Sequence, residues 1–385
     1  MIKEILIIDD SALMRRVISD IINSDSRFNV AGFAIDGLEA LNLLMDNPDK
    51  YDAILLDINM PKMNGLELLE NLQNNNINNK IIIVSTAAVE GAKETIKALE
   101  LGAFDFVKKP ESFIDVRSDY FKNQVIKALI IATDMNMDDE YDYGTIDINQ
   151  PEEETRIKPE LKDIVKPKTI ETNQPVEKDN FTKSTYKKVA KSHKNKLIAI
   201  ACSTGGPKAL HSIVPKIPKD IDASVLIVQH MPEGFTKSLS ERLNDLSGAD
   251  VKEASHGDVL KKGVVYIAKG GTHLTVNKKG PNHRLYVKAG TPVRGLMPCA
   301  DLMYESLKDC DYDEIICVVL TGMGSDGTEG IKELNKSKDI YVIAQDEETS
   351  VVYGMPRSIY KAGIVDEKLP LDKIVESIIN KMGVN

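Results

Sequence analysis

The sequence predicts two α/β domains, each built on a doubly wound parallel sheet, joined by a flexible linker. Short runs rich in β-branched residues alternate with longer segments whose apolar residues recur every three to four positions, the pattern of βα units in a parallel sheet. The pattern stops near residue 134 and resumes at Leu197, and 385 residues are too many for one ordinary domain. We therefore expect domains at 1–130 and 196–385, with the linker at 131–195.

Five βα units are predicted in the first domain. The predicted strands are Ile5 to Ile8, Val30 to Ala34, Ala53 to Leu56, Ile81 to Val84 and Phe104 to Val107. Segments between them, such as the one with Leu66, Leu69 and Leu72 on one face, predict helices that cover both faces of the sheet. Such a sheet brings the carboxyl ends of all its strands to one edge.

The predicted linker is segregated by charge. Asp134 to Glu154 contains nine acidic residues and no Lys or Arg, whereas Lys183 to Lys196 contains six lysines. Four prolines recur between residues 151 and 175 with little apolar content. This composition cannot bury a core, so we interpret the lysine run as a solvated linker end rather than a nucleic-acid-binding arm.

The alternating pattern returns in the second domain. Strands are predicted at 197–202, 224–229, 264–268, 315–320 and 340–344. Helices are predicted at Pro207 to Val214, Phe235 to Leu246, Ala300 to Leu307 and Leu371 to Met382. In addition, His273 to Asn277 and Arg284 to Lys288 flank a Gly280-Pro281 turn, which predicts an inserted β-hairpin.

Composition excludes several classes of protein. The net charge of −10 argues against binding to nucleic acid or to an anionic membrane surface. No apolar stretch is long enough to span a bilayer, and the amino terminus enters a strand-like run with no signal-peptide pattern. The four cysteines show neither disulfide nor metal-site spacing, as expected in a reducing compartment. We therefore expect a cytoplasmic protein that does not insert into membranes.

Acidic and polar residues follow the predicted strands of the first domain. Asp9 and Asp10 follow the first strand, Asp57 the third, Ser85 the fourth and Lys109 the fifth. Three carboxylates at one edge repel each other unless a cation is present, and an oxygen-only cluster suits Mg²⁺. A helix N-cap would explain an Asp-Asp pair by itself, but the matching strand-end positions together favour a carboxylate that attacks a phosphoryl donor.

This set of residues, together with the stretch Asp57 to Gly65, resembles the receiver domain of two-component response regulators. The resemblance covers about residues 1–125 and implies that Asp57 is phosphorylated in the presence of Mg²⁺. Further implied roles are metal ligation by Asp10, by Asp57 and by the backbone carbonyl of Asn59, metal contact through water for Asp9, and phosphoryl contact for Ser85 and Lys109.

Three strand ends of the second domain carry the residue types of an acyl-transfer site. Ser203 precedes a Gly205-Gly206 turn that lets the backbone approach a substrate carbonyl, although a plain N-cap serine would look the same. His230 ends the next strand and is our candidate base, while His256 and His273 lie in loops that could approach the cleft.

The third strand end is open to two interpretations. Gly322, Gly324 and Gly327 spell G-x-G-x-x-G between a strand and a helix, and Asp346 follows nineteen residues later, as in a dinucleotide-binding site. However, Asp326 within the motif would place an anion beside the pyrophosphate, and it is suited to hold the Nδ1–H of His230 instead.

Cys202, next to Ser203, is an alternative nucleophile, but it ends an apolar run where a buried side chain is expected.

Four short sequence motifs resemble those of the methylesterase domain of the chemotaxis CheB family, and the resemblance covers about residues 196–384. They are Ser203 to Pro207, Gln229 to Pro232, Leu320 to Gly327 and Tyr353 to Pro356. The resemblance implies hydrolysis of glutamate γ-methyl esters on methylated chemoreceptors, and deamidation of receptor glutamines, with no cofactor for the esterase. It further implies Ser203 as nucleophile, His230 as base and then acid, Asp326 as orienting residue, the Met323 N–H in the oxyanion hole and Thr204 in support.

The order of receiver, linker and esterase implies regulation by phosphorylation, with the chemotaxis histidine kinase CheA as phosphodonor. We expect the receiver to cover the esterase site until Asp57 is phosphorylated. The alternative is a non-catalytic response regulator with a dinucleotide-binding output domain.

Overall fold

The computed structural model describes residues 2–86, 88–110, 119–134, 195–280 and 282–382. The described residues on both sides of the long gap belong to one compact unit. The predicted linker at 131–195 lies outside the described residues apart from its two ends, and so does Pro281 of the predicted hairpin turn.

The first sheet is parallel, with the strand order β2-β1-β3-β4-β5 over the described residues. Its strands are β1 (Lys3–Ile8), β2 (Phe28–Ala34), β3 (Ala53–Leu56), β4 (Ile81–Ser85) and β5 (Asp105–Lys108). The helices are α1 (Ala12–Asn23), α2 (Gly37–Asp46), α3 (Gly65–Asn74), α4 (Val89–Glu100) and α5 (Asp119–Ala132). The central strand β3 is buried along its whole length, as expected for a parallel sheet covered by helices on both faces.

The second sheet is also parallel, with the order β14-β13-β12-β6-β7-β9-β8 between residues 195 and 382. Its strands are β6 (Lys196–Cys202), β7 (Ala223–Gln229), β8 (Asp250–Glu253), β9 (Val264–Ile267), β12 (Glu314–Val319), β13 (Ile340–Gln345) and β14 (Glu367–Leu369). The separate antiparallel hairpin consists of β10 (His273–Lys279) and β11 (Asn282–Lys288). Both predicted parallel sheets and the inserted hairpin are thus confirmed.

Helices cover both faces of the second sheet. They are α6 (Gly206–Ile213), α7 (Phe235–Leu246), α8 (Ala300–Ser306), α9 (Thr328–Asn335), α10 (Met355–Lys361) and α11 (Leu371–Met382). Strands β8 and β14, the two edge strands, are not predicted from the sequence. Each is short and carries charged residues, so neither shows the continuous apolar run of a strand buried on both faces.

The two sheets pack against each other through helices rather than through strand pairing. Helix α4 of the first domain lies against α6 and α7 of the second. At this contact the ring of Phe106 on β5 lies 4.6 Å from the ring of Phe235 on α7, measured between centroids. Buried residues of both domains therefore form one continuous apolar cluster.

No helix among the described residues is both long enough and apolar enough to cross a bilayer.

Candidate active site and phosphorylation site

The acidic residues of the first domain meet at the carboxyl edge of its sheet. Carboxylate oxygens of Asp9, Asp10 and Asp57 all lie within 4.8 Å of one another. Asp9 and Asp57 are buried, whereas Asp10 is exposed. The three carboxylates come together because β1 and β3 are neighbouring strands, and the strand order of the sheet reverses between them.

Lys109 neutralises the two buried acids. Its Nζ lies 2.7 Å from Asp57 Oδ2 and 2.9 Å from Asp9 Oδ2. Burial raises the pKa of Asp57, and Lys109 opposes that rise. Burial alone would lower the pKa of Lys109, but the charges of Asp57 and Asp9 raise it, so Lys109 stays protonated. The lysine is thus placed to offset negative charge added at Asp57.

The remaining predicted positions surround this cluster. Ser85 ends β4, and its hydroxyl donates to the Gly91 carbonyl at 3.3 Å. Asn59 donates its side-chain amide to Glu94 at 3.1 Å, so its side chain points to α4. The donor set of the cluster consists of oxygens only, and this chemistry fits Mg²⁺ better than a soft metal.

In the second domain, strand order places the serine between the histidine and the aspartate. β6, which precedes Ser203, pairs with β7 on one side and with β12 on the other. Backbone hydrogen bonds hold the three ends in register, since Ser203 N donates to Thr321 O and His230 N to Cys202 O, both at 3.1 Å. His230 and the loop after β12 therefore approach each other across Ser203.

Asp326 contacts the histidine through a different ring nitrogen from the one predicted. His230 Nε2 lies 2.7 Å from Asp326 Oδ2, so the expected contact at Nδ1 is wrong. Strand β6 lies between β7, which precedes His230, and β12, which precedes the loop that carries Asp326. Nδ1 is then the nitrogen available to Ser203, although no hydrogen bond joins the Ser203 hydroxyl to His230 within the described residues.

Asp326 is held ionised by its surroundings. Its carboxylate accepts the backbone N–H groups of Ala300 and Asp301, at 2.6 and 3.0 Å, and the thiol of Cys299 at 3.2 Å. Burial alone would raise the pKa of Asp326, but the hydrogen bond and charge of His230 and these N–H groups hold it well below its usual range. An anion in this place stabilises a protonated imidazole.

The glycine loop after β12 lies directly against Ser203. A Cβ atom added to Gly322 would lie 2.7 Å from Ser203 Cβ, so only glycine permits this approach. Met323, the predicted oxyanion residue, follows Gly322 in the same loop. On the other side of Ser203, Gly205 adopts a φ of 76° and is the N-cap of α6, whose amino terminus favours negative charge near the serine.

The hydrogen bonds of the glycine loop argue against a dinucleotide-binding site. A pyrophosphate would need the N–H groups at the start of α9. Those of Gly327 and Gly330 already donate to Asp301 Oδ1, at 2.9 and 2.7 Å. Asp346, the other part of the pattern, accepts from Thr349 within its own turn. A phosphate would have to displace one buried carboxylate and approach another.

Cys202 is unsuited to be a nucleophile. Its side chain is fully buried, and burial raises the pKa of its thiol. Sγ donates to Gln229 Oε1 at 3.0 Å. The two alternative histidines, His256 and His273, contact backbone carbonyls of Val287 and Thr291.

Gln229 has a role at the site that its sequence context does not predict. Its Nε2 donates to the backbone carbonyls of Ser203 and His230, at 3.0 and 3.1 Å. A Cβ atom on Gly206 would overlap its Oε1, so the amide fills the space between the two turns. The one signal in the sequence is a polar residue at the end of an apolar run, which does not reveal its partners.

Part of the candidate site is covered by the first domain. Thr204, next to Ser203, donates its hydroxyl to Asp105 Oδ2 on β5 at 2.7 Å. Met323, Val351 and Val352 pack against the apolar cluster of the first domain. Arg242 of α7 donates to both carboxylate oxygens of Glu100 at the end of α4, at 2.6 and 3.0 Å.

Fold and geometry together define a response regulator whose α/β output domain carries serine, histidine and aspartate at adjacent strand ends. The CheB methylesterase family model matches residues 198–378, and the response regulator receiver domain model matches residues 5–120. The chain belongs to the family of protein-glutamate methylesterases/protein-glutamine glutaminases, as its full-length relatives show.

Two relatives match over nearly their whole length. Protein-glutamate methylesterase/protein-glutamine glutaminase 1 of Syntrophomonas wolfei is 36% identical over 99% of this chain and 99% of its own. The protein of the same name from Pyrococcus horikoshii, without the number, is 36% identical over 99% of this chain and 94% of its own. Among solved structures, the Thermotoga maritima CheB methylesterase catalytic domain is 40% identical and covers 49% of this chain and 98% of its own, with a TM-score of 0.47.

We predict that Gln229→Met lowers kcat for ester hydrolysis roughly 10- to 100-fold, because the turns that carry Ser203 and His230 lose their shared donor. Methionine keeps the volume of the side chain and removes its hydrogen bonds, so KM should change little. Steady-state kinetics on a methylated chemoreceptor would measure both constants.

Tyr304→Phe is the matched control for this variant. The buried Tyr304 hydroxyl faces the carbonyls of Ala199 and Val318, each at 3.1 Å, and so also bridges two strands of the second sheet. We expect the Tyr304→Phe substitution to lower the free energy of unfolding by about 1 kcal/mol and to leave kcat nearly unchanged. Equal losses of kcat in both variants would show that Gln229 acts only through stability.

Proposed function

We propose that this chain hydrolyses glutamate γ-methyl esters on methylated chemoreceptors, giving glutamate and methanol, and also deamidates receptor glutamines. The observation that carries the proposal is the approach of His230 to Asp326 across the end of β6, where Ser203 lies. Family membership supports it, since the CheB family acts on methylated chemoreceptors and receives phosphate from a histidine kinase.

In the proposed mechanism Ser203 is the nucleophile. Its Oγ attacks the ester carbonyl while His230 takes the hydroxyl proton, and the backbone N–H of Met323 stabilises the oxyanion, with Thr204 supporting the site. Cleavage of the ester C–O bond releases methoxide, which His230 protonates to methanol. Water then attacks the glutamyl-serine ester with His230 again as base, which gives the receptor carboxylate and regenerates Ser203. With a glutamine substrate the leaving group is ammonia, and the second step is the same.

Asp326 keeps the imidazole oriented throughout. Its carboxylate is fixed by backbone N–H groups, so it can hold Nε2–H and leave Nδ1 to exchange the proton with Ser203. The negative charge stabilises the imidazolium formed in each step. No cofactor is required for these steps.

The proposed input to the esterase is phosphorylation of Asp57. Receiver domains are phosphorylated in a Mg²⁺-dependent reaction, and we assign the metal to Asp9, Asp10, Asp57 and the backbone carbonyl of Asn59. When bound, Mg²⁺ would supply positive charge next to the phosphoryl group. Lys109 and Ser85 would contact that group, and the chemotaxis histidine kinase CheA would be the phosphodonor.

We assign the inhibited state to the arrangement described here. Thr204 is bonded to Asp105, and three apolar residues beside the site pack against the receiver, so a receptor segment has no access from that side. Strand β5 connects the two sites, because Asp105 begins it and Lys109 follows its end. Phosphorylation would change the charge around Lys109 and shift the population toward separated domains.

The buried cysteines support a cytoplasmic location, since all four lie within the described residues as unpaired thiols.

Ser203→Ala should abolish methanol release from methylated receptor, because the variant lacks the proposed nucleophilic oxygen. Phosphorylation of Asp57 should be unchanged. Methanol release and labelling with radioactive phosphodonor measure the two activities separately, and comparable methanol release in this variant would disprove the nucleophile assignment. Asp57→Asn is the reciprocal control, with basal hydrolysis kept and activation by phosphodonor lost.

Glu100→Ala should raise the basal kcat/KM of the unphosphorylated full chain, roughly 5- to 50-fold, because it removes the ion pair with Arg242 and the contact of His211 Nε2 at 2.6 Å across the domain interface. The phosphorylated protein should change little. Glu70→Gln is the control, since Glu70 pairs at 3.6 Å with Lys97 on α4, within the receiver. Unchanged basal activity in Glu100→Ala would contradict inhibition by this interface.

A further inference from the structure

Two buried carboxylates face each other beneath the glycine loop. Asp326 is 3% exposed and Asp301 is 5% exposed. Only Asp326 has a part in the proposed mechanism. Asp301 belongs to no motif in the sequence, yet it contacts the loop that carries Met323 and Asp326.

The two acids cap each other's helices. Helix α8 has no side-chain cap of its own, and its first N–H groups, those of Ala300 and Asp301, donate to Asp326. Helix α9 also lacks its own side-chain cap, and the N–H groups of Gly327 and Gly330 donate to Asp301. Each carboxylate therefore satisfies the unpaired donors at the start of the other's helix.

The close packing of the two helix ends depends on this exchange. A Cβ atom on Gly330 would lie 2.5 Å from the backbone oxygen of Asp301, so the backbones of α8 and α9 are in direct contact. Any displacement of Asp301 moves the start of α9. The loop from Gly322 to Gly327 ends at that point, so its conformation is tied to Asp301.

Arg294 compensates the charge of the pair. Its Nη2 contacts Asp301 Oδ2 and lies 3.6 Å from Asp326 Oδ1. Burial raises the pKa of Asp301, and the charge of Asp326 adds to that rise, while Arg294 opposes it. Arg294 also has a φ of 49°, an unfavourable conformation for a residue with a side chain, which its contacts with the two acids help to sustain.

We propose that Asp301 is a positioning residue of the esterase, which together with Arg294 fixes the glycine loop and aims Asp326 at His230. It acts through hydrogen bonds to Gly327 and Gly330 and does not touch the reacting atoms. The inference rests on the esterase function proposed above. Without the carboxylate, Arg294 would pair with Asp326 and draw it away from His230.

The test compares phosphorylated full-length Asp301→Asn, Arg294→Gln and the double variant on a methylated chemoreceptor. We expect Asp301→Asn to lower kcat on the order of 10- to 100-fold with KM within about twofold. The double variant should recover part of that loss, because the uncompensated guanidinium is gone, so the two effects should not add. The rate at which a fluorophosphonate labels Ser203 should also be lower in Asp301→Asn than in the wild type, and should be partly recovered in the double variant.

Asp366→Asn is the structural control. Asp366 also accepts a backbone N–H, from Val342 at 2.7 Å, but it lies beside the edge strand β14. We expect a similar loss of thermal stability and an unchanged kcat. If Asp301→Asn does not fold, Arg294→Gln alone should still lower kcat without a change in KM.

The outcomes separate the two proposals. A wild-type protein that releases no methanol would contradict the esterase function, and the labelling rates of Ser203 would still test Asp301. An active wild type with unchanged kcat and labelling in Asp301→Asn would overturn the positioning role. Strict additivity in the double variant would overturn the part assigned to Arg294.

Discussion

The carboxyl ends of parallel strands lie along one edge of a sheet. A crevice forms at this edge where the strand order reverses, because the connections on the two sides of that point run over opposite faces of the sheet. Both candidate sites of this chain lie at such a point. In the receiver, β1 and β3 carry Asp9, Asp10 and Asp57, and in the output domain β6 lies between β7 and β12. This strand order brings His230 and the loop that carries Asp326 to opposite sides of Ser203, where His230 Nε2 contacts Asp326. The strand order of each sheet thus determines where its candidate site lies.

Burial of acids at these edges requires compensating charge, and each site meets the requirement differently. In the receiver, Lys109 bridges Asp9 and Asp57, and added negative charge at Asp57 would disturb that balance. In the output domain Asp326 pairs with His230, Arg294 contacts Asp301 and lies near Asp326, and each acid accepts a separate set of backbone N–H groups. The first arrangement suits a switch, because Lys109 contacts both acids and responds to charge added at Asp57. The second suits a fixed catalytic scaffold, because many bonds must break before either carboxylate moves.

The domain interface joins the two sites through residues next to their chemistry. Thr204 follows the proposed nucleophile and is bonded to Asp105, while Lys109 lies four residues further along the chain. In the proposed regulation, this short connection along β5 would link phosphorylation at Asp57 to the esterase site. The ring contact of Phe106 with Phe235 and the pairing of Glu100 with Arg242 join the two domains on the side of α7.

The sequence by itself determined the two sheets, the inserted hairpin, the family and the strand ends where the candidate residues lie. It could do so because strands buried on both faces appear as continuous apolar runs, whose ends mark the functional edge. The edge strands β8 and β14 were missed for the same reason, since they are short and charged. The family resemblance already favoured the esterase interpretation of the glycine loop, and the tertiary structure supplied the physical reason, because Asp301 takes the N–H groups of Gly327 and Gly330 that a pyrophosphate would need. Asp301, Arg294 and the bridging role of Gln229 were invisible in the sequence, because hydrogen bonds between residues distant in the chain depend on packing, and local patterns do not encode them.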